Sequence, residues 1–379
     1  MTATRSPSPS QSSGVLTVDL TALADNWRAL ARRAGAAACG AVVKADAYGL
    51  GVEAAAPALH AAGCRHFFVA QLSEGTRVRA ALAPRPQASI YVLNGLQAGA
   101  DPQADYCAHG LSPVIGSEAE LARWAAFAAG HITPPPCALH LDTGMNRLGF
   151  SSLAAIERAI GGLGREALGV DLLMSHFVSS EERDNPLNAI QIARFDEARA
   201  AFRGVPASLA NSSGAFLPER PFYDLIRPGY ALYGGNPTPG APNPMKTVVA
   251  LDVAIQQVRW IEAGESVGYN QQWIAPRRTR LATLLAGYAD GLPRGAGATG
   301  RPGADVIVAG LRCPLVGRMS MDLCVADITD LPEAAAQAGD SARLLGDAIG
   351  VDEFAARSGT NGYQVLTSLG QRYHRRYVG

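Results

Sequence analysis

The sequence lacks a surplus of either charge, since 33 Lys and Arg residues balance 33 Asp and Glu residues. A balanced chain has no electrostatic basis for binding nucleic acid or an acidic membrane, so neither partner is predicted. No apolar stretch approaches the ~18 residues that a membrane-spanning helix needs. Residues 1–13 are rich in Ser, Thr and Pro and contain no apolar core, so we predict a disordered tail and not a signal peptide.

Paired cysteines are also lacking. The six cysteines are scattered, and no two have the CxxC spacing that is typical of zinc sites or redox pairs. Several lie in apolar, strand-like runs, which favours reduced thiols in the core of a cytoplasmic protein over disulfides. We therefore predict a cytoplasmic protein without a metal site. The cysteines are Cys39, Cys64, Cys107, Cys137, Cys313 and Cys324.

From about residue 14 to residue 240, short apolar runs alternate with amphipathic helical stretches. Eight such units are typical of a (β/α)8 TIM-type barrel, whereas an open doubly wound sheet usually carries a GxGxxG motif that is missing here. The predicted strands are Cys39–Ala45, His66–Gln71, Ser89–Asn94, Leu111–Gly116, Cys137–Gly144, Gly169–Phe177, Ala207–Ser212 and Tyr223–Gly229. The predicted helices are Gly51–Ala62, Ser73–Leu82, Ser117–Ala129, Ser151–Gly161 and Pro186–Phe202.

The alternation of predicted strands and helices stops after Gly234–Lys246, a segment rich in Pro and Gly that is typical of a linker. Beyond it, short strand patterns follow one another with only one clear helix, Gly350–Ser358. The sequence therefore predicts an α/β barrel over 14–240 and a mostly β C-terminal domain over 241–379. The strands predicted in this second domain are Thr247–Ile261, Thr279–Ala286, Ala304–Ile307, Cys313–Val316 and Leu323–Ile328.

Lys44 closes the first predicted barrel strand. Burial disfavours the charge of an amine, and a neutral lysine can attack a carbonyl to form a Schiff base. The alternative is an ordinary lysine at a strand end whose ammonium reaches water. The strand pattern favours the first interpretation, because catalytic residues of such barrels lie at the carboxyl ends of strands.

Other barrel strands also end in polar residues. Tyr48 follows the first strand, Asp142–Arg147 ends the fifth, and His176 ends the sixth. A serine hydroxyl in Asn211–Gly214 and glycine-flanked amides in Arg227–Tyr230 fall where this fold usually binds phosphate. A Schiff-base lysine beside a phosphate site indicates pyridoxal 5'-phosphate (PLP) as the cofactor.

These motifs resemble the alanine racemase family of barrel-type (fold III) PLP enzymes. The resemblance runs nearly end to end, and the motifs after residue 260 make it specific, because barrels that bind PLP without a second domain lack them. It implies the barrel and β-domain fold predicted above. The motifs are Ala41–Gly51, Asp142–Gly149, Ser175–Phe177, Arg227–Gly234, Gly268–Asn270, Gly287–Gly291 and Gly317–Asp322.

The resemblance also implies roles for single residues. Lys44 would hold PLP and act as one acid/base, while Tyr269 of the partner subunit in a head-to-tail homodimer would act on the opposite face of the substrate. Arg227 would face the cofactor ring nitrogen, and its guanidinium cannot accept a proton there, which favours racemisation over transamination. The remaining implied residues are Tyr48, Ser212, Gly229 and Tyr230 for phosphate, His176 for the cofactor, Arg147 and Met321 for the substrate carboxylate, and Tyr288, Arg294, Arg318 and Asp322 around the mouth of the site.

Two positions depart from the family pattern. His140 stands where many members carry a carbamylated lysine, so Arg147 must be oriented differently, by a bound anion or by His140 itself. Gln371 stands where a tyrosine often contacts the phosphate, and Gln371 or Arg372 could replace that contact. Neither change removes an essential role.

The function that we expect is racemisation of L- and D-alanine, which supplies D-alanine for peptidoglycan or serves alanine catabolism. Two alternatives remain open. One is a broad-specificity or serine racemase, which keeps the chemistry and changes the substrate. The other is a non-catalytic PLP-binding barrel, against which the Tyr269 and Met321 motifs argue.

Overall fold

The computed structural model describes residue 8, residues 11–83 and residues 87–379. Most of the predicted disordered tail, residues 1–13, lies outside the described residues. In the ranges that are described, no helix is both long enough and apolar enough to cross a membrane. The same ranges contain no cluster of three or more His, Cys, Asp and Glu side chains placed to hold a metal ion.

Short parallel strands form the wall of a barrel. The strands of the first half of the chain are β1 Gly14–Asp19, β2 Ala38–Cys39, β3 Ala41–Val42, β4 His66–Val69, β5 Ser89–Val92, β6 Ser112–Ile115, β7 Cys137–His140, β8 Val170–Met174, β9 Ala207–Ser208 and β10 Leu225–Ile226. β3 to β9 form one parallel sheet in sequence order. The ring closes because β10 pairs with β2, and the Gly40 N–H next to β2 donates to the Ile226 carbonyl. The predicted TIM-type barrel is confirmed.

Helices pack outside this wall. They are Leu20–Ala34, Val52–Ala62, Leu72–Ala81, Gln103–Ala108, Glu118–Ala128, Leu153–Ile160 and Pro186–Ala201. The five predicted helices are present, and the helix of residues 118–128 begins as expected with Ser117 Oγ accepting from the Glu120 N–H. Leu20–Ala34 was not predicted, although Asp19 caps it by accepting from the Ala22 N–H.

Several barrel strands end earlier than predicted. The first was predicted to reach Ala45 and ends at Val42, and the fifth was predicted to reach Gly144 and ends at His140. In both places the following backbone amides find partners outside the sheet. Asp142, for example, accepts from the N–H groups of the three residues 144–146. The strands stop where these loops begin, and the loops carry the site residues.

The remaining strands form a second, mostly antiparallel sheet and, at residues 266–267 and 273–274, a separate two-stranded sheet. They are β11 Val249–Ile261, β12 Ser266–Val267, β13 Trp273–Ile274, β14 Thr279–Leu284, β15 Asp305–Val308, β16 Leu311–Val316, β17 Cys324–Asp327, β18 Ser341–Leu345 and β19 His374–Val378. β11 pairs with β1, β14 and β18, and the full order is β14-β17-β16-β15-β18-β11-β1-β19. Two helices, Val351–Ser358 and Gly362–Ser368, follow β18. The mostly β character of this region is confirmed.

The first strand of the chain belongs to this second sheet. β1 pairs antiparallel with β11 and parallel with β19. The chain thus begins and ends in the same sheet, and the barrel is inserted between β1 and β11. The domain limits of 14–240 and 241–379 stay a prediction. β1 falls within the first range in sequence but pairs with strands of the second sheet.

The Asp171 carboxylate lies near aromatic rings, close to the amino end of β8. Asp171 opens β8, and its Oδ2 accepts from the Tyr91 hydroxyl at 3.3 Å, while Oδ1 is buried and has no hydrogen-bond partner among the described residues. The Tyr91 ring stacks on Phe68 with the ring centroids 5.0 Å apart. Burial raises the pKa of Asp171 to about 6.

The raised pKa of Asp171 predicts how the free energy of unfolding depends on pH. The folded chain holds the Asp171 proton up to about pH 6, whereas an unfolded chain releases it near pH ~4. This group therefore lowers the free energy of unfolding as pH rises from 4 to 6. Asp171→Asn should raise that free energy by about 1–3 kcal/mol at pH 7 and change it little at pH 4.

Urea unfolding followed at several pH values would measure this difference. Asp101→Asn is the control, because the Asp101 side chain is 92% exposed and should give the same difference at every pH. A gain for Asp171→Asn that does not grow between pH 4 and pH 7 would contradict the assignment.

Candidate active site

A cavity of about 520 Å³ lies at the carboxyl ends of the barrel strands. It collects every site residue that the sequence placed on the barrel. Those residues are Lys44, Tyr48, His140, Arg147, His176, Ser212, Arg227, Gly229 and Tyr230. Their roles remain predictions, but the structure brings them to one place.

Lys44 follows β3 and is half-buried at the wall of this cavity. Burial lowers the pKa of its ammonium, the positive charge of Arg147 lowers it further, and the charge of Glu74 opposes both. A larger fraction of the side chain is therefore a neutral amine than for an exposed lysine. Such an amine is suited to carbonyl attack and to proton transfer.

A cradle for a phosphate group also lines this cavity. Ser212 Oγ accepts from the Gly229 N–H at 3.0 Å and from the Ala231 N–H at 3.2 Å, at the start of the 3₁₀ helix Tyr230–Tyr233. A Cβ at Gly229 would lie 2.4 Å from the Tyr48 hydroxyl oxygen, so only glycine lets the two approach. Hydroxyls and backbone amides suit a phosphate, and the Tyr230 hydroxyl also donates to Asp352 Oδ1 at 2.6 Å. The residues present therefore fit PLP.

Arg227 carries a buried positive charge at the cavity. The residue is 3% exposed, and its guanidinium donates to Ser208 Oγ and to the Ser175 carbonyl. It also lies over the Phe68 ring, 5.8 Å from the centroid. Burial lowers the pKa of Arg227 to about 9, which still leaves the group charged at neutral pH. It can donate hydrogen bonds in the cavity but cannot accept a proton.

Two neutral imidazoles lie beside this cation. Burial first, and then the charge of Arg227, lower the pKa of His176 to about 3 and that of His140 to about 4. Both rings are uncharged at neutral pH, so His140 adds no positive charge to Arg147. Each can donate one hydrogen bond and accept another.

Arg147 reaches the cavity from the loop after β7. Asp142 shapes this loop by accepting three backbone N–H groups at 2.7–2.8 Å. Within residues 11–83 and 87–379, no hydrogen bond or ion pair is formed by the Arg147 guanidinium. It is thus an exposed cation at the cavity with its donors available to an anionic ligand.

Six predicted residues lie outside the cavity, on the second sheet. Tyr269 is 65% exposed and Met321 is 54% exposed. The Tyr288 N–H donates to the Ser320 carbonyl and the Ala289 N–H to the Met321 carbonyl, while a Cβ at Gly268, next to Tyr269, would lie 3.2 Å from the Arg318 backbone. We call this the β-domain patch, and it comprises Tyr269, Tyr288, Arg294, Arg318, Met321 and Asp322. Within one chain, the patch does not line the cavity.

Gln371 and Arg372 do not line the cavity either. Gln371 accepts from Arg375 at 3.2 Å. Arg372 donates to Asp322 at 2.7 Å and lies 3.1 Å from the fully buried Asp290. Arg372 thus joins Asp322 of the β-domain patch to the buried Asp290 beneath it. Neither Gln371 nor Arg372 contacts the phosphate cradle.

Tyr363 and Thr367 are among the cavity residues that were missed in the sequence. Tyr363 and Thr367 come from the helix Gly362–Ser368, and the Tyr363 ring stacks on Tyr230 with the centroids 4.1 Å apart. The Asn361 side chain caps this helix, and that cap was a usable signal for the helix itself. Its position against the barrel depends on contacts distant in sequence, such as the close approach of Gly362 to the Tyr230 hydroxyl.

Comparisons with known proteins agree across the whole chain. Family models described as "Alanine racemase, N-terminal domain" and "Alanine racemase, C-terminal domain" match residues 18–237 and 248–377. The alanine racemase of Methylobacterium sp. (strain 4-46) is 52% identical over 363 residues, which cover 96% of this chain and 97% of that protein.

Relatives with different role names are similarly close. A catabolic alanine racemase of Mesorhizobium japonicum is 44% identical, and a biosynthetic one of Agrobacterium fabrum is 42% identical, each over 96% of this chain and 93% of the relative. The crystal structure of alanine racemase from Bartonella henselae, with covalently bound pyridoxal phosphate, superposes with a TM-score of 0.89. It is 35% identical and covers 97% of this chain and 99% of that one.

The cradle makes a prediction about cofactor affinity. In Gly229→Ala the added methyl would lie 2.4 Å from the Tyr48 hydroxyl oxygen and 3.1 Å from its ring, so the ring or the loop must move. Overpacking of this kind costs about 1–3 kcal/mol, which corresponds to a loss of PLP affinity of about 10- to 100-fold.

Titration of the full-length variants with PLP, followed by absorbance, would measure this loss. Gly162→Ala is the matched control, because a Cβ there meets nothing within 4 Å. Equal PLP affinity in the two variants would show that the close approach of Gly229 to Tyr48 has no part in binding.

Proposed function

Because this chain belongs to the alanine racemase family, we propose that it interconverts L- and D-alanine with Lys44 and Tyr269 on opposite faces of the substrate α-carbon. Family membership makes it a PLP-dependent isomerase. Racemisation removes a proton from one face and returns one to the other, so it needs two groups that exchange protons. The single observation that carries the proposal is the cavity that joins Lys44, Arg227 and the phosphate cradle.

The barrel residues would hold the cofactor in this cavity. Lys44 would bind it covalently, while Tyr48, Ser212, Gly229 and Tyr230 would hold its phosphate and His176 would contact its ring. Bound there, PLP supplies an electron sink that makes the α-hydrogen of an amino acid acidic. Side chains of the protein would then remove and return that hydrogen.

Arg227 supports racemisation over other PLP reactions. We propose that its guanidinium faces the ring nitrogen of the cofactor, where a charged donor keeps that nitrogen unprotonated. An aspartate there would instead pair with a protonated ring, as PLP enzymes that use the full electron sink require. With the sink weakened, the proton returns to the α-carbon. The buried position of Arg227 and its retained charge support this role.

Lys44 supports the first proton transfer. Burial and the neighbouring Arg147 lower the pKa of its amine, which brings it closer to the operating pH. With substrate in the cavity, the free amine of Lys44 would take up or release the α-proton on its own face.

The second acid/base would come from another subunit. A single chain places no tyrosine of the β-domain patch in the cavity, and Tyr269 is 65% exposed. We infer a head-to-tail homodimer in which Tyr269 of the partner subunit reaches the cavity beside Lys44. The partner's Met321 would bring its backbone amide to the substrate carboxylate, and Tyr288, Arg294, Arg318 and Asp322 would surround the mouth.

Substrate size would be limited by the same patch. Arg147 has free donors for the substrate carboxylate, and in the proposed dimer the side chains of Tyr269, Tyr288 and Met321 would leave room near the α-carbon for little more than a methyl group. We therefore favour alanine over serine or a broad range of amino acids. The product would serve peptidoglycan synthesis or alanine catabolism, and relatives named for both roles are similar to this chain. The six free cysteines support a cytoplasmic location.

Incubation with L-alanine in D2O tests the reaction itself. We expect deuterium to enter the α-position as D-alanine appears, because each inversion takes its proton from a group that exchanges with solvent. Proton NMR and chiral chromatography of the same sample give the two rates. Exchange without inversion would contradict the two-base proposal, and no exchange with PLP bound would favour the non-catalytic alternative.

Mixed dimers test the shared site. Lys44→Ala and Tyr269→Phe should each be inactive alone, or nearly so. When they are refolded together, half of the dimers are mixed, and each mixed dimer has one site in which Lys44 and the partner's Tyr269 are both intact. Activity should then return to about one quarter of wild type if the subunits pair at random.

A tagged version of one subunit allows the mixed dimer to be purified and assayed alone. The control is the mixture of Lys44→Ala with the double variant Lys44→Ala/Tyr269→Phe, which contains no intact site and should stay inactive. If the first mixture also stays inactive, both residues act within one chain and the dimer proposal is wrong.

A further inference from the structure

The backbone that follows Lys44 is held in a conformation that these residues rarely adopt. Ala45, Asp46, Ala47 and Tyr48 have φ values of 53°, 59°, 54° and 56°. None of them is glycine, so each pays the steric cost of the left-handed region, and contacts around the turn must maintain it. The turn sets where the Lys44 side chain begins. Any residue that stabilises the conformation of this turn therefore also helps to position the Lys44 side chain.

Glu74 holds this turn from the neighbouring helix Leu72–Ala81. Its Oε1 accepts from the Ala45 N–H, directly after Lys44, at 2.7 Å. Its Oε2 accepts from the N–H groups of Ala70 at 2.8 Å and Gln71 at 3.1 Å. One carboxylate thus ties the first residue of the turn to the end of β4.

A second contact from the same helix holds the turn further out. Arg77 donates to Asp46 Oδ1 at 2.6 Å and to both carboxylate oxygens of Glu53. Asp46 Oδ1 also accepts from the Val52 N–H at 3.1 Å. Arg77 and Glu53 are exposed whereas Glu74 is half-buried, and the contacts of Arg77 are to side chains. Glu74 is the one that binds the strained backbone next to Lys44.

Glu74 also brings a negative charge to the amine. The other charged groups at the cavity, Arg147 and Arg227, are positive, while His140 and His176 are neutral. The charge of Glu74 raises the pKa of Lys44 against burial and Arg147. Without that charge, the Lys44 amine would lose its proton at a lower pH.

We propose that Glu74 is a positioning residue for Lys44, which fixes the left-handed turn through the Ala45 N–H and sets the charge balance of the amine. It does not line the cavity, so it touches neither cofactor nor substrate. The inference rests on the proposed function in one respect, namely that Lys44 is the residue that binds PLP and moves the proton.

The chain supplies a matched control two strands further along the barrel. Glu120 stands three residues after the N-cap Ser117, as Glu74 does after Gln71. Its Oε1 accepts from the Leu96 N–H of a neighbouring loop, and its Oε2 accepts from the Gly116 N–H at the end of β6, both at 2.9 Å. The arrangement repeats that of Glu74 without contact to the turn that carries Lys44.

The experiment compares full-length Glu74→Gln and Glu120→Gln. An amide oxygen cannot replace both carboxylate oxygens, so each variant loses a backbone contact and both should melt a few degrees lower. Only Glu74→Gln should lower kcat by about ten-fold or more with KM nearly unchanged, because only there is a reacting group displaced. Hydroxylamine should also release PLP about ten-fold faster from Glu74→Gln than from Glu120→Gln.

A direct measurement of Lys44 is possible because the chain has only two lysines, Lys44 and Lys246. Lysine labelled with ¹³C at the ε-carbon gives two side-chain signals, and Lys246→Arg assigns them. In the PLP-free protein, the titration midpoint of Lys44 should move to lower pH in Glu74→Gln and stay in place in Glu120→Gln. Glu74→Asp keeps the charge but shortens the side chain, so it should release PLP faster while the midpoint stays near that of wild type.

The outcomes separate this proposal from the function on which it rests. If the two Gln variants melt alike and also agree in kcat, PLP release and the Lys44 midpoint, then Glu74 only stabilises the fold and the proposal is overturned. If wild type does not racemise alanine, the proposed function fails, while PLP release and the Lys44 midpoint still decide the role of Glu74. Should Glu74→Gln not fold, the same comparison with Glu74→Asp decides it.

Discussion

The barrel buries a guanidinium beside its cavity, and much of the site depends on how that charge is accommodated. An isolated buried charge is very costly, so Arg227 needs polar partners inside the protein. It finds them in the Ser175 carbonyl and in Ser208 Oγ, over the face of Phe68. These groups come from β8, β9, β10 and β4 or the residues that follow them, so the register of four strands is tied to one side chain. Burial first, and then this charge, lower the pKa of His140 and of His176, so both rings stay neutral beside Arg227.

The sequence predicted the barrel well because buried parallel strands are short apolar runs, and these can be recognised without knowing their partners. Strands and helices that depend on distant contacts were harder to predict. β1 and β19 lie at opposite ends of the sequence and pair with each other, and β1 also pairs with β11. The helix Gly362–Ser368 packs its Tyr363 against Tyr230, more than a hundred residues away. No local pattern encodes such pairings.

Site residues were predictable where the fold itself places them, at the carboxyl ends of barrel strands. Lys44, His176, Ser212 and Arg227 line one cavity for this reason. The conformation that presents Lys44 was not predictable, because a left-handed turn is usually signalled by glycine or asparagine and this one is Ala-Asp-Ala-Tyr. Its cause is a carboxylate nearly thirty residues further along the chain, and sequence reasoning gave Glu74 no role.

The β-domain patch shows why assembly and catalysis would be linked in this protein. Tyr269 and Met321 expose more than half of their surface in a single chain, and Tyr288 is 39% exposed, so association would remove apolar area from water. The patch is also shaped in advance, since Arg372 joins the exposed Asp322 to the buried Asp290, which in turn accepts from the Gly287 N–H. A rigid surface loses little conformational entropy on binding. In the proposed dimer, the burial of this patch and the arrival of the second acid/base are therefore a single event, and a chain that cannot pair would keep its cavity but lack one face of the reaction.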